Sequence, residues 1–139
     1  MSSAAPRAII VSIQRSVHLI ATYVDRLMPG LGQAEAHVLA ALADTGSRTI
    51  ADLHRDFGHR RSTLTSIVDR LEGRGLVTRE IEPADRRSFR VRLTPRGAQT
   101  ARRIGGVFRR IDARVGRAAT EPALRGFWAT LDALERILR

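Results

Sequence analysis

Cysteine is absent from the 139 residues. That removes disulfide frameworks, thiolate metal sites, cysteine nucleophiles and thiol redox sensing together. Lysine is absent as well, so all 24 basic residues are Arg. An Arg-for-Lys bias of this kind can reflect coding composition, and the missing Lys rules out a phosphate-cradling loop of the kind that needs one. Aromatic residues are few (four Phe, one Tyr, one Trp), which excludes a stacking platform for single strands. No apolar run approaches the roughly 18 residues of a membrane span, and residues 1–7 are not followed by a signal peptide with its cleavage site. These absences lead to the expectation of a reduced, cytoplasmic chain with no membrane partner.

What is present is positive charge. Against 24 basic residues stand 14 acidic ones, a net +10. Such a surplus on a small domain favours polyanions, nucleic acid before an anionic membrane surface. No long basic tail suits a membrane tether. The charge is also uneven: between Arg86 and Arg117 there are eleven Arg and one acid, Asp112. A chain of this length forms one domain or compact subunit and can bury a core without metal or disulfides.

Apolar residues at Ile10, Ile13, Val17, Ile20, Val24 and Leu27 fall in steps of three and four, a helical seam of coiled-coil type. It stops at Met28-Pro29-Gly30. A shorter helix follows from about Gln33 to Ala43, with Val38, Leu39 and Leu42 inward, ending in the turn Asp44–Ser47. Thr49-Ile50-Ala51-Asp52 has the form of a capping box and predicts a third helix burying Ile50, Leu53 and Phe57. Gly58 breaks it. A fourth helix carries Leu64, Ile67, Val68 and Leu71 on one face, with Ser62, Thr63, Thr65, Ser66, Asp69 and Arg70 on the other. Two short helices across a glycine-containing turn are the signature of a helix-turn-helix.

After Gly73-Arg74-Gly75 the period changes to two. Val77, Arg79 and Ile81 share one face, and Phe89, Val91 and Leu93 alternate with Ser88, Arg90 and Arg92 on the return. The turn-rich stretch Pro83–Arg87 lies between, giving a β-hairpin with a charged tip. Thr94-Pro95 opens a long fifth helix with the stripe Ile104, Phe108, Ile111, Val115 and Ala118. Thr120-Glu121-Pro122 opens the last helix, with Leu124, Phe127, Leu131, Leu134 and Leu138. The fold class is therefore mainly α with a small β-hairpin, a winged helix-turn-helix flanked by long dimerisation helices. The terminal seams exceed what the central unit needs to cover itself, which predicts a homodimer. The expected organisation is residues 1–30 as the N-terminal dimerisation helix, 31–97 as the DNA-binding region and 98–139 as the C-terminal dimerisation helices.

The chemistry points to double-stranded DNA. A helix fits the major groove, and hydroxyls with Arg suit base edges and phosphates. Arg86 and Arg87 at the hairpin tip carry flat guanidinium groups that can enter the more negative minor groove. For Ser62, Thr63 and Thr65 the bland alternative is helix capping or solubility. Enzymatic readings fail: Gly30-Leu31-Gly32 lacks the rest of a dinucleotide fingerprint, there is no Gly-x-Ser-x-Gly elbow or zinc-protease pair, and no carboxylates pair for acid–base work. No cofactor is expected. His54 and His59, five apart across Gly58, do not share a helical face, so no metal site is expected.

Ser62-Thr63-Leu64-Thr65, the run Asp69–Val77 (Asp-Arg-Leu-Glu-Gly-Arg-Gly-Leu-Val), Asp85-Arg86-Arg87-Ser88 and Leu93-Thr94-Pro95-Arg96-Gly97 resemble, in order and without gaps, the multiple antibiotic resistance regulator (MarR) family over about residues 30 to 100. The resemblance implies a dimeric winged-helix transcription factor on a pseudo-palindromic operator, usually a repressor released by a small aromatic or anionic ligand. By position it implies a recognition helix at about Arg61 to Gly73, with Arg60, Arg61, Ser62, Thr63, Thr65, Ser66, Arg70, Arg86 and Arg87 as DNA contacts. Asp85 would hold the wing arginine, a role a carboxylate two residues away can fill by charge-assisted bonds. The implied effector pocket, between dimer helices and winged helix, draws in His18, His37 and Phe108; each can equally be a surface or core residue. Two positions depart from the pattern. Arg60 stands where a capping hydroxyl is usual, which predicts a helix starting later with Ser62 as its cap. His59 stands where an apolar turn residue is usual and is read as a hydrogen-bonded packing residue. The competing functions are a non-specific architectural DNA-binding protein and a protein-interaction winged helix without DNA binding.

Overall fold

Steps of three and four apolar residues become helices at each place the sequence marks. The computed structural model describes residues 8–139, so the readings that fall on residues 1–7 lie outside the described residues. The elements are α1 (Ile9–Leu27), α2 (Gln33–Thr45), β1 (Ser47–Thr49), α3 (Ile50–Phe57), α4 (Arg61–Gly73), β2 (Val77–Glu82), β3 (Asp85–Leu93), α5 (Pro95–Ala118) and α6 (Glu121–Leu138). They fall into two units, one up to Ile104 and one from Gly105 onward.

In the first unit the core is built from the inward stripes of α2, α3 and α4 with one face of the sheet. Leu39, Leu42, Leu53, Leu64, Val68, Leu71 and Val91 are completely excluded from solvent. Ile50 and Phe57, expected to be buried with Leu53, are only half-buried at the rim of this core. At the start of α3 the Thr49 hydroxyl accepts the Asp52 N–H (3.1 Å) while the Asp52 carboxylate accepts the Thr49 N–H (2.9 Å). The Thr49 backbone bond is the main cause that holds the Asp52 carboxyl below its ordinary value. Gly58, left-handed at φ 68°, ends the helix.

The sheet has three strands in the order β1-β3-β2, all antiparallel. β1 was not expected: Ser47–Thr49, the end of a polar turn in sequence, pairs Ser47 with Arg92 and Thr49 with Arg90. α2 likewise runs two residues past its expected end, to Thr45. The hairpin turn is shorter than anticipated, because Asp85–Arg87 already belong to β3 and Glu82 pairs with Asp85. A register shift between Ile81 and Glu82 releases Ile81 (66% exposed), so it does not share the burial of Val77. Glu82 turns inward there and is buried.

α5 opens as the sequence indicates. The Thr94 hydroxyl accepts the Gly97 N–H (2.9 Å) and donates to the Gly75 carbonyl (2.7 Å), tying the helix start to the end of α4. Gly97 allows this approach: a Cβ there would sit 1.8 Å from the Leu76 carbonyl oxygen. The second unit holds the rest of α5 and α6. Thr120 caps α6 through the Ala123 N–H (3.4 Å), yet no residue of α6 is buried.

Candidate nucleic-acid interface

α4, which the resemblance implies as the recognition helix, occupies Arg61–Gly73, the span it implies. The expectation that Ser62 caps it is wrong. The helix starts at Arg61, with Arg60 in the cap position and no side-chain cap, and Ser62 lies inside the first turn. The first intrahelical bond, Leu64 N–H to the Arg60 carbonyl (3.0 Å), forms regardless, because burying Leu64 and Ile67 fixes where the helix begins.

Arg60, Arg61, Ser62 and Thr63 are exposed, and Thr65 is half-buried. The Thr65 hydroxyl donates to the Arg61 carbonyl (2.9 Å) and Ser66 to the Ser62 carbonyl (3.1 Å). Both hydroxyl protons are thereby used within the helix, and what remains for a base edge is acceptor capacity. Arg70, expected as a DNA contact, donates its Nε to the Glu35 carboxylate of α2 at 2.8 Å, with its side chain about half exposed.

The wing is fixed to this helix by charge. Arg79 of β2 forms ion pairs with Asp69 and, at 3.4 Å, with Glu72 of α4, and its guanidinium lies over the Phe89 ring at 4.7 Å. Within the sheet Arg92 pairs with Glu80 (2.7 Å) and Arg90 with Glu82, whose other oxygen accepts the Ala84 N–H (3.3 Å) in the turn. Asp85 reaches the wing arginine by a route other than the expected guanidinium contact. Its carboxylate accepts the backbone N–H of Arg87 (3.0 Å) and forms no ion pair among the described residues. It shapes the backbone that carries Arg87 and leaves both tip guanidiniums outward.

This pairing pattern sorts the charge. Arg48, Arg55, Arg70, Arg74, Arg79, Arg90 and Arg92 of the winged helix each meet a carboxylate. Arg60, Arg61, Arg86 and Arg87 meet none among the described residues, and all four are exposed. The uncompensated charge of this region therefore sits at the start of α4, at the hairpin tip and at Arg96 in the first turn of α5, whose Nη1 donates to the Arg74 carbonyl at 3.3 Å. Sequence reasoning missed Glu35 and Arg79 as organisers. Glu35, three residues after Gly32, carried the only signal, half of a capping box with glycine in place of the hydroxyl.

His18 is exposed on α1, and Phe108 is half-buried on the part of α5 in the second unit. His37 faces α3, where its ring stacks on Phe57 (6.2 Å, 13°). Burial first, then the neighbouring His59, pushes the His37 imidazole below its ordinary value. The His59 side chain is exposed rather than packed in the turn; its carbonyl accepts from His54 Nδ1 at 2.7 Å. No cluster of three or more metal-ligating side chains occurs among the described residues, and no described helix is long and apolar enough to cross a membrane.

The MarR family model matches residues 31–89. The chain is 41% identical over 44 residues to a Thauera aromatica protein named for transcriptional regulation of the hcr operon, a match covering 32% of this chain and 26% of that one. It thus spans about a quarter of the length of that curated relative. Among solved structures it is similar to MepR of S. aureus in complex with DNA, with a TM-score of 0.82, 17% identity and coverage of 95% of this chain and 99% of that one. It is also similar to PcaV of Streptomyces coelicolor in complex with its natural ligand, with a TM-score of 0.78, 20% identity and full coverage of both chains.

Proposed function

We propose that this chain, whose residues 31–89 match the MarR family model, is a DNA-binding transcriptional regulator of that family and acts in the cytoplasm as a homodimeric repressor of a pseudo-palindromic operator. Members of that family are regulators and not enzymes. The observation that carries the reading is the sorting of charge: acids neutralise the arginines that hold the winged helix together, while Arg60 and Arg61 at the start of α4 and Arg86 and Arg87 at the hairpin tip meet no acid among the described residues. Arg60 and Arg61 adjoin the hydroxyl face of α4, and Arg86 and Arg87 sit at the hairpin tip. Arg60 and Arg61 meet phosphates and fix register, Ser62, Thr63, Thr65 and Ser66 face base edges, and Arg86 and Arg87 enter the flanking minor groove. Two copies would place their recognition helices about one helical turn apart on the duplex.

The dimer is supported by α1 and α6. Of α1 only Val24 is buried, while Ile9, Ile10, Val11, Val17, Leu19 and Leu27 are exposed; Phe127, Trp128 and Leu138 are exposed on α6. Residues 8–30 and 98–139 are thus proposed as the dimerisation parts. Release by a small aromatic or anionic effector is supported by a neighbour crystallised with its natural ligand. His18 and His37, both in the first unit, are the residues proposed to meet such an effector.

The test is fluorescence anisotropy of the purified protein with a duplex from its own upstream intergenic region and with a scrambled duplex, at two salt concentrations. The expected result is a preference for the native duplex that survives the higher salt. Equal, steeply salt-dependent binding to both would replace this reading with an architectural one. No binding to either would leave a protein-interaction module.

A further inference from the structure

The recognition helix carries four arginines, Arg61, Arg70, Arg74 at its end and Arg60 at its cap, and the structure treats them in two ways. Arg60 and Arg61 are without an acid partner among the described residues. Arg70 and Arg74 converge on one carboxylate. Glu35, 6% exposed on α2, accepts from Arg70 Nε at 2.8 Å and lies 3.5 Å from Arg74 Nη1. The same carboxylate accepts the Gly32 N–H at 3.1 Å, and Arg74 also donates to the Gly30 carbonyl at 2.6 Å. Arg70 and Arg74 stand four residues apart, on one side of the helix. One buried charge thereby ties the loop between α1 and α2 and the start of α2 to the last turns of α4.

We infer that Glu35 is a specificity-setting positioning residue, which withholds Arg70 and Arg74 from DNA phosphates while anchoring the C-terminal end of the recognition helix. This rests on the operator reading above. The reasoning is electrostatic. Arg70 and Arg74 are each about half exposed, on a helix that faces DNA, and a guanidinium there binds any phosphate regardless of sequence. Such contacts would raise affinity for all duplexes alike and lower the ratio between operator and competitor. Held by Glu35, the two arginines leave the contact surface to the hydroxyl face and the N-terminal pair. The roll of α4 about its axis, set by Leu64, Ile67, Val68 and Leu71 on one side, gains a second fixed point.

The test uses two single variants of the full chain, each measured on operator and scrambled duplexes across a salt series. Glu35→Gln keeps an oxygen for the Gly32 N–H but turns amide protons toward the arginines, and so releases them. Its expected signature is a roughly tenfold lower operator preference, with a salt slope on the scrambled duplex steeper by about one to two, close to one per phosphate gained. Arg70→Ala is expected to lower the preference with no flattening of that slope, because Arg70 touches no phosphate in the wild type. A merely structural role would weaken both duplexes equally and leave the slope alone. An unchanged slope and preference in Glu35→Gln, or a slope flatter by about 0.9 in Arg70→Ala, overturns the inference. If Glu35→Gln does not fold, the Arg70→Ala slope decides alone. A wild-type protein without operator preference sinks the operator reading instead, and the slopes on one arbitrary duplex still decide whether Glu35 withholds the arginines.

Discussion

At the scale of single residues the wing rests on a small device. Asp85 spends its carboxylate on the Arg87 N–H rather than on a guanidinium, so the acid in the Asp-Arg-Arg tip shapes backbone and costs the tip little reach. Arg87→Ala is expected to weaken operator binding by about 1–3 kcal/mol, the range of a buried groove contact. Anisotropy titration measures it, and an affinity equal to the wild type would remove the wing from the reading. His37 carries a second residue-scale consequence. Its folded-state value lies below its ordinary 6.5, so below that pH the unfolded chain binds the proton more readily than the folded one. The stability owed to the neutral ring is present above pH 6.5 and is lost as pH falls from there through the folded value. Urea unfolding at pH 7.5 and at pH 5 should show a larger loss in the wild type than in His37→Gln. Equal losses would mean that the Phe57 stack tolerates the charged ring.

At the scale of elements, Gly97 is where the start of α5 lies directly against the backbone of the turn after α4. The Leu76 carbonyl accepts the Thr94 N–H (3.1 Å), and any Cβ on Gly97 would strike that same oxygen. Gly97→Ala must therefore push the start of α5 away from the turn after α4. The expected cost is about 1–3 kcal/mol or more, read as a lower urea midpoint at an unchanged slope. A wild-type midpoint would show that the helix start shifts freely. The Leu-Thr-Pro-x-Gly step that requires this glycine was legible in the sequence, as were the helices whose apolar stripes repeat at three and four. β1 was not legible, because Ser47–Thr49 has no apolar alternation and becomes a strand only by pairing with β3, more than forty residues away along the chain (Ser47 opposite Arg92). The span of α4 came from the resemblance, whereas the cap chemistry that argued for Ser62 lost to the burial of Leu64 and Ile67. The tip arginines could be read because a turn between two strands exposes whatever it carries. The fate of Arg70 could not, since periodicity gives the face of a helix and not the Glu35 opposite it, 35 residues earlier.

At the scale of the whole molecule, the net +10 pointed to a polyanion without saying where the charge would remain. The same charge sets a condition on assembly. Two copies joined through the exposed seams of α1 and α6 bring +10 against +10, so their association gains from apolar burial and loses to repulsion. Salt screens that repulsion, whereas it weakens a protein–DNA contact by making counterion release less favourable. The two equilibria should therefore respond to salt with opposite signs. Light scattering at micromolar concentration is expected to give twice the 15.4 kDa chain mass, with the dimer holding to lower concentration as salt rises. Trp128, the single tryptophan and 60% exposed beside Phe127, supplies a second signal, since closing a seam around it shifts its emission to the blue. A 15.4 kDa mass at every salt concentration would remove the dimer, and with it the pseudo-palindromic operator, because a single recognition helix has no second half-site to read.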